Sequence, residues 1–368
     1  MKVSDNFKQV NIFVCSTMYH VLLSSLIAQT VKESGSNILV LDCTCYPNAH
    51  NYDWDSLSPL FDEALIFEDQ EMQLSSITEY LFYKRSVKKK MEQKFPLLKK
   101  IREDYSKSLL KVNCYINEDG HNFSRYFIYY FRNIVMLEEG MQIYKAFVRN
   151  EAFWLKFLKY RVLGIIRPNG VDERIREIWV QYPEKLPITI RHKGVRIDLS
   201  ELFFKMEESD CLDVFKHILG FSGNIMEILR EVFAEKEDIT LLITQPFSED
   251  KLISEAEKID IYKKIVQSIE LNNSQAGCLI IKPHPRETTD YSQIFDNAII
   301  IPNGFPMEMI RFAWEKKDIG ISFAVTVDST AILNIKEFCE RIQVYGNCDI
   351  TKTLSSKYPL KEGYVMIQ

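Results

Sequence analysis

No two of the eight cysteines, at positions 15, 43, 45, 114, 211, 278, 339 and 348, form a Cys-x-x-Cys pair. Their spacing argues against a disulfide framework and a zinc site, and it fits reduced, mostly buried thiols. No cluster of metal-ligating residue types stands out, and no repeat or low-complexity segment breaks the chain. Net charge is only −5, so no global field demands nucleic acid as a partner. A signal-peptide core is missing too: the apolar run before Ser16 is too short, and no small-residue cleavage site stands out. The stretch from Gln9 to Thr30 carries no charged residue and has about the length of a membrane span, yet Ser16, Thr17, Tyr19, His20, Ser24, Ser25 and Gln29 interrupt it. It reads as strand Val10–Cys15, a turn, and a helix from about Met18. A cytoplasmic location is expected.

What is present is an ordinary globular composition, 46% hydrophobic and 26% charged, over 368 residues. That length exceeds what one core usually takes, so two domains are expected. In the first half, strands at Val10–Cys15, Asn37–Leu41, Ala64–Phe67 and Val112–Ile116 alternate with helices, notably Met18–Glu33 and Leu74–Lys94. In the last third, strands at Ile239–Thr244, Cys278–Ile281, Ala298–Ile301, Ile319–Phe323 and Ile342–Tyr345 alternate with helices at about Glu249–Ile269, Pro306–Glu315 and Ala331–Phe338. The middle, roughly Gly140 to Ser222, is aromatic and basic, then irregular. Two runs of βα units predict an α/β chain of two Rossmann-like domains facing across a central cleft, with boundaries at 1–190 and 191–368.

The most informative stretch is Ile281-Lys282-Pro283-His284-Pro285-Arg286, where the buried strand Cys278–Ile281 should end. Proline fixes its own φ and biases the preceding residue toward extended geometry, so His284 rides on a stiff backbone. A histidine near neutral pKa suits general acid catalysis, although a proline-rich turn has the same local appearance. Asn117-Glu118-Asp119-Gly120 follows Val112–Ile116; its carboxylates can bind an acceptor hydroxyl or tune a base, and Asp-Gly is also a common turn. Asp250 or Glu249 can deprotonate a hydroxyl, while Ser248 with two following acids also reads as a helix cap. Ser329 and Thr330 precede the expected helix Ala331–Phe338, where hydroxyls and free N–H groups make an anion site. Glu308 suits ribose hydroxyls or a first-turn acid. Asp250, His284, Glu308 and Ser329 occupy four successive strand-to-helix connections, which share one edge of a parallel sheet. That edge can hold a nucleotide, with ribose at Glu308, phosphate at Ser329 and Thr330, and a proton donor at His284.

These residues carry a family likeness: the chain resembles the bacterial sialyltransferases of glycosyltransferase family 52. Glu118-Asp119-Gly120 matches their acidic-acidic-Gly motif, His284-Pro285 their His-Pro motif, and Ser329-Thr330 their later Ser/Thr pair, in the family's order. Ser248-Glu249-Asp250-Lys251 matches the segment bearing the family's base. The likeness runs from about Asn11, through Cys15-Ser16-Thr17, to about Tyr345. It implies a GT-B fold, CMP-sialic acid as donor, and inversion at the anomeric carbon. A consistent mechanism gives Asp250 the acceptor proton, with Glu249 or Asp119 as alternatives, and lets His284 protonate the departing phosphate. Glu118, Asp119, Gly120, Lys282, Pro283, Pro285, Glu308, Ser329, Thr330 and Thr17 are the expected substrate contacts. No metal or other cofactor is required.

Between Lys84 and Lys111 eleven Lys/Arg face three acids, a local charge of about +8. Ile143–Arg161 interleaves aromatic and basic residues. Such surfaces suit a peripheral contact at the inner face of a membrane, near a lipid-linked acceptor, or a helix packed in a homodimer. The leading expectation is transfer to a terminal galactose of a capsular polysaccharide or lipooligosaccharide, in α-2,3 linkage. Two alternatives are another GT-B transferase, such as a CDP-polyol phosphotransferase or a UDP-sugar enzyme, and a non-catalytic nucleotide-sugar-binding protein.

Overall fold

Apolar runs alternating with helices form two separate parallel sheets in the computed structural model, which describes residues 9–42, 54–67, 82–138, 141–144, 166–213, 225–236, 238–272, 277–314, 320–327, 329 and 331–345. The chain divides into two units, Met1–Ile218 and Leu219–Gln368. The boundary expected after residue 190 therefore falls later. Residues after 190 still build the first unit: a short edge strand pairs into its sheet, and helix Leu199–Glu207 packs on helix Met18–Val31.

The first sheet contains β1 (Gln9–Cys15), β2 (Ser36–Asp42), β3 (Glu63–Phe67), β4 (Lys111–Ile116), β5 (Asn133–Leu137), β6 (Ile175–Val180) and β7 (Gly194–Arg196). Their order is β3-β2-β1-β4-β5-β6-β7, all pairs parallel. The order reverses between β1 and β4, which is where open α/β sheets bind ligands. The uncharged stretch from Gln9 to Thr30 is β1 followed by helix Met18–Val31, both largely buried inside this unit. A helix apolar on most of its faces is what such burial requires. Among the described residues, no helix is long and apolar enough to cross a membrane.

A row of asparagines crosses this sheet. Asn11, Asn37, Asn113 and Asn133 lie in register on β1, β2, β4 and β5. The Asn11 amide donates to Asn37 Oδ1 at 3.0 Å, Asn113 donates to Asn11 Oδ1 at 2.8 Å, and Asn133 donates to Asn113. Asn37 ends the row by donating to the carbonyls of Ala28 and Leu60. Gly35 leads into β2 where a Cβ would come within 2.4 Å of the Gln9 carbonyl oxygen, so the close approach of β1 and β2 requires glycine there.

The basic run forms helices Tyr83–Lys94 and Pro96–Ser106, and part of its charge is engaged within the unit. Arg102 pairs with Glu92, and Lys84 lies over the rings of Tyr129 and Tyr130. The N-terminal part of the helix expected at Leu74–Lys94, and nearly all of Ile143–Arg161, lie outside the described residues.

The second sheet contains β8 (Ile239–Ile243), β9 (Cys278–Lys282), β10 (Ile299–Ile300), β11 (Ile321–Val327) and β12 (Cys339–Tyr345), ordered β10-β9-β8-β11-β12 and again all parallel. Its order reverses between β8 and β11. The helix expected from Glu249 begins later and spans Glu255–Asn272. Its cap is Ser254, whose Oγ accepts the Glu257 N–H while Glu257 accepts the Ser254 N–H, a reciprocal capping box. Ser248 is thus not the cap, and Glu249 and Asp250 are not first-turn acids. Pro306–Glu315 and Ala331–Phe338 were expected as helices and form 3₁₀ segments at Met307–Phe312 and Ala331–Phe338.

Candidate active site

At the carboxyl end of β4 the acidic pair divides its labour. Both Asp119 oxygens are taken at 2.8 Å, by the N–H groups of Asn169 and Gly170. Gly170 has φ +73° and no room for a Cβ beside Ile178, so glycine is needed there. Burial pushes the Asp119 carboxyl up, against those N–H groups, and its role in this structure is to hold a neighbouring loop. That occupation disfavours Asp119 as the alternative base. Gly120 is exposed, and nothing around it demands glycine.

Glu118 belongs to a polar cluster at the point where the sheet order reverses. Ser16 Oγ donates to Glu118 Oε1 at 3.2 Å, and His121 Nδ1 lies 2.6 Å from the same oxygen. The Ser16 N–H donates to His20 Nδ1 at 3.3 Å. Burial lowers His20 to about 4, so it is neutral at pH 7. His121 is pushed up to about 10 by the carboxylates of Asp42 and Glu118, with burial opposing. Thr17 caps helix Met18–Val31 by accepting the His20 N–H. Asn117, almost wholly buried, has neither amide atom hydrogen-bonded among the described residues.

The His121 clamp has a measurable consequence. A folded pKa above the unfolded value of 6.5 means that its pairing stabilises the fold fully below pH 6.5 and is lost progressively up to about pH 10. Unfolding free energy should fall across that window, and His121→Gln should flatten the fall. An unchanged slope in the variant would remove His121 as the cause.

In the second unit, the loops after β8, β9, β10 and β11 lie at one sheet edge, as the parallel topology requires. His284 follows β9. Its N–H donates to Glu287 Oε2 at 2.6 Å, and the Glu287 N–H donates back to the His284 carbonyl at 2.9 Å. His284 Nδ1 accepts the Arg286 N–H at 3.2 Å, which leaves the ring proton on Nε2. Burial, then the charges of Arg286 and Lys282, lower His284 to about 4, so the resting imidazole is neutral. Pro283 is buried and Pro285 exposed.

Neither candidate base in this unit is free. Asp250 forms a two-pronged pair with Arg286 at 2.6 and 3.1 Å. Glu249 accepts the Thr288 N–H at 2.8 Å and pairs with Lys258 at 3.0 Å. Burial alone would raise its pKa, but those partners hold it at about 2, too weak a base for a sugar hydroxyl. Lys282 is buried and donates to the carbonyls of Pro283 and Asn303, bracing two loops of the edge. Burial lowers it to about 8. Glu308 is buried and accepts from Asn334 at 2.7 Å. Ser329 is buried after β11, and Thr330 lies outside the described residues.

The residues that sequence reasoning missed are Ser16, His20, Asp42 and His121 in the first unit, and Lys258 and Glu287 in the second; Arg286 stood in the singled-out stretch without a role. Arg286 and Glu287 follow the His-Pro motif directly, so proximity was a usable signal for them. Among the described residues, no group of three or more His, Cys, Asp or Glu could hold a metal ion.

A family profile for alpha-2,8-polysialyltransferase (POLYST) matches residues 11–345. The chain belongs to the alpha-2,8-polysialyltransferase family. A relative of this family member, an uncharacterized protein of Haemophilus influenzae, is 32% identical over 178 residues, 48% of this chain and 52% of the relative. The match thus spans about half the length of that protein. The Photobacterium sp. 2,6-sialyltransferase, solved with CMP and lactose, has a TM-score of 0.56 at 11% identity, covering 95% of this chain and 74% of that one. The GT-B domain of the Photobacterium damselae sialyltransferase has a TM-score of 0.51 at 12% identity, covering 94% and 97%. These likenesses concern fold: an α/β chain of the GT-B class. The expected kinship with bacterial sialyltransferases holds for the polysialyltransferase family member at that level.

Proposed function

We propose that this chain moves sialic acid from CMP-sialic acid to the terminal sugar of a bacterial surface glycan, with inversion at the anomeric carbon. The observation that carries the reading is His284, a neutral imidazole with its proton on Nε2, at the edge of the second sheet that also carries Glu308 and Ser329. As the bond from the anomeric carbon to phosphate breaks, negative charge grows on the leaving CMP. Bound phosphate offsets the repulsion from Arg286 and Lys282 and raises the histidine's proton affinity, so His284 donates to the leaving oxygen. The acceptor hydroxyl must lose a proton to a carboxylate. Of the carboxylates in the second unit, Glu249 is held by Lys258 and the Thr288 N–H. Asp250 would have to release Arg286 first. No metal takes part.

The first reading takes a terminal galactose of a capsular polysaccharide or lipooligosaccharide as the acceptor, in α-2,3 linkage. The family description favours a second reading, a sialic acid-terminated acceptor in α-2,8 linkage. The test is release of CMP from CMP-sialic acid with a galactoside, with oligosialic acid, and with neither. Acceptor-dependent release with one of them is expected, and the productive acceptor selects between the two readings. Absence of acceptor-dependent release with both would reject the reading.

A further inference from the structure

The loop that carries His284 is gripped from the preceding strand end. The turn after β8 closes through Asp250 N–H to the Pro246 carbonyl at 2.8 Å, Lys251 N–H to Ser248 at 2.9 Å, and Leu252 N–H to Phe247 at 2.9 Å. Lys251 closes it at φ +59°, a left-handed conformation that costs a non-glycine residue energy. The turn thereby presents Asp250 to the Arg286 guanidinium and Glu249 to the Thr288 N–H and Oγ1. Arg286 in turn sends its own N–H to His284 Nδ1. A carboxylate with both oxygens on one guanidinium makes a strong, geometrically specific pair.

We infer that Asp250 and Arg286 are a positioning pair for His284: the turn Ser248–Lys251 clasps the His-Pro loop, fixes the imidazole's orientation, and balances the charge beside it. Asp250 acts through Arg286 and takes no proton from an acceptor. The inference rests on the proposed role of His284 at the donor phosphate. The charged groups that act on that imidazole are Arg286, Lys282, Asp250 and Glu249, with the Glu287 carboxylate on the His284 main-chain N–H. Arg286 lowers its proton affinity and Asp250 raises it.

The experiment compares Asp250→Asn, Arg286→Gln and the double variant in the full chain. Both residues sit at the surface, so the variants are expected to fold. Each single variant should lose about tenfold in kcat with little change in donor KM, and the double should be no worse than the poorer single, because both remove one interaction. NMR titration of His284 in the ligand-free protein should rise from about 4 in Arg286→Gln and fall in Asp250→Asn. Additive losses, or a far larger loss in Asp250→Asn than in Arg286→Gln, would overturn the inference. So would a His284 titration unmoved in Arg286→Gln. The titration needs no turnover, so failure of sialyl transfer in the wild type would count against the proposed function without deciding the clasp.

Discussion

Replacing His284 with alanine should lower acceptor-dependent CMP release by about two to four orders of magnitude, the usual worth of a positioned acid. The surroundings of the imidazole argue for a loss in kcat above all. Its Nδ1 is occupied by the Arg286 N–H and its main chain by Glu287, so only Nε2 faces chemistry. Removing the ring takes the Nδ1 contact with it but leaves both main-chain contacts with Glu287, and donor KM should move little. His284→Gln separates two contributions, since an amide can donate a hydrogen bond but not a proton. Partial recovery in glutamine would credit charge stabilisation, and equal loss in both variants would credit proton transfer. Wild-type rates in the alanine variant would end the assignment. The measurement is initial CMP release at saturating donor, with circular dichroism to show that the variant is folded.

Lys258→Met should destabilise the protein by about 3–5 kcal/mol, the range for removing one partner of a buried ion pair. Lys258 is wholly buried on helix Glu255–Asn272. Its ammonium lies 3.0 Å from Glu249, 3.1 Å from Glu255 and 3.5 Å from Glu287, and the Glu287 side chain is also fully buried. Methionine keeps the length and loses the charge, leaving Glu287 with Thr244, Tyr291 and the His284 N–H, and with Lys282 as a cation that still acts on it. The sign of the pH dependence follows from Glu249. Its depressed folded pKa, about 2, gives stability that is present above its ordinary value of 4.5 and lost as pH falls toward 2. Without Lys258 that contribution shrinks, so the gap between wild type and variant should be widest near neutrality and narrow below pH 4.5. Denaturant melts at two pH values measure it; a gap independent of pH would mean that lost packing, not lost charge, causes the destabilisation.

Strands buried on both faces were legible because parallel sheets require continuous apolar runs, as in β1, β2, β8 and β9. Three strands of the first sheet were not. In β5, Asn133–Leu137 follows the aromatic helix Asn122–Tyr130 after only two residues, with no glycine or proline to mark a break. In β6, Arg176 and Glu177 break the apolar run, and β7 has three residues and no run at all. The start of helix Glu255–Asn272 was misplaced because Ser248 stands before two acids. Only Ser254 has a glutamate three residues on, and that spacing closes the box. The site residues were found as letters at strand ends, a position that topology dictates. Their partners were not, because Asp250 with Arg286, or Asp119 with Gly170, depends on how distant loops fold back. Sequence spacing carries no record of that.

The asparagine row of the first sheet bears on how this unit assembles. Asn11, Asn37 and Asn113 each both give and take, and Asn133 gives, so a sheet holding only some of its four strands exposes donors and acceptors in a dry setting. Half-built intermediates are therefore penalised relative to the complete sheet, and pairing of β2, β1, β4 and β5 should be close to all-or-none. A sheet drilled by such a row also has one favoured alignment, since a strand slipped by one residue would mostly set valine, isoleucine or cysteine against an amide. The row thus works as a ruler: Ser16 lies five residues beyond Asn11 and Glu118 five beyond Asn113, so the two side chains that meet at the sheet edge are counted out from a common polar mark.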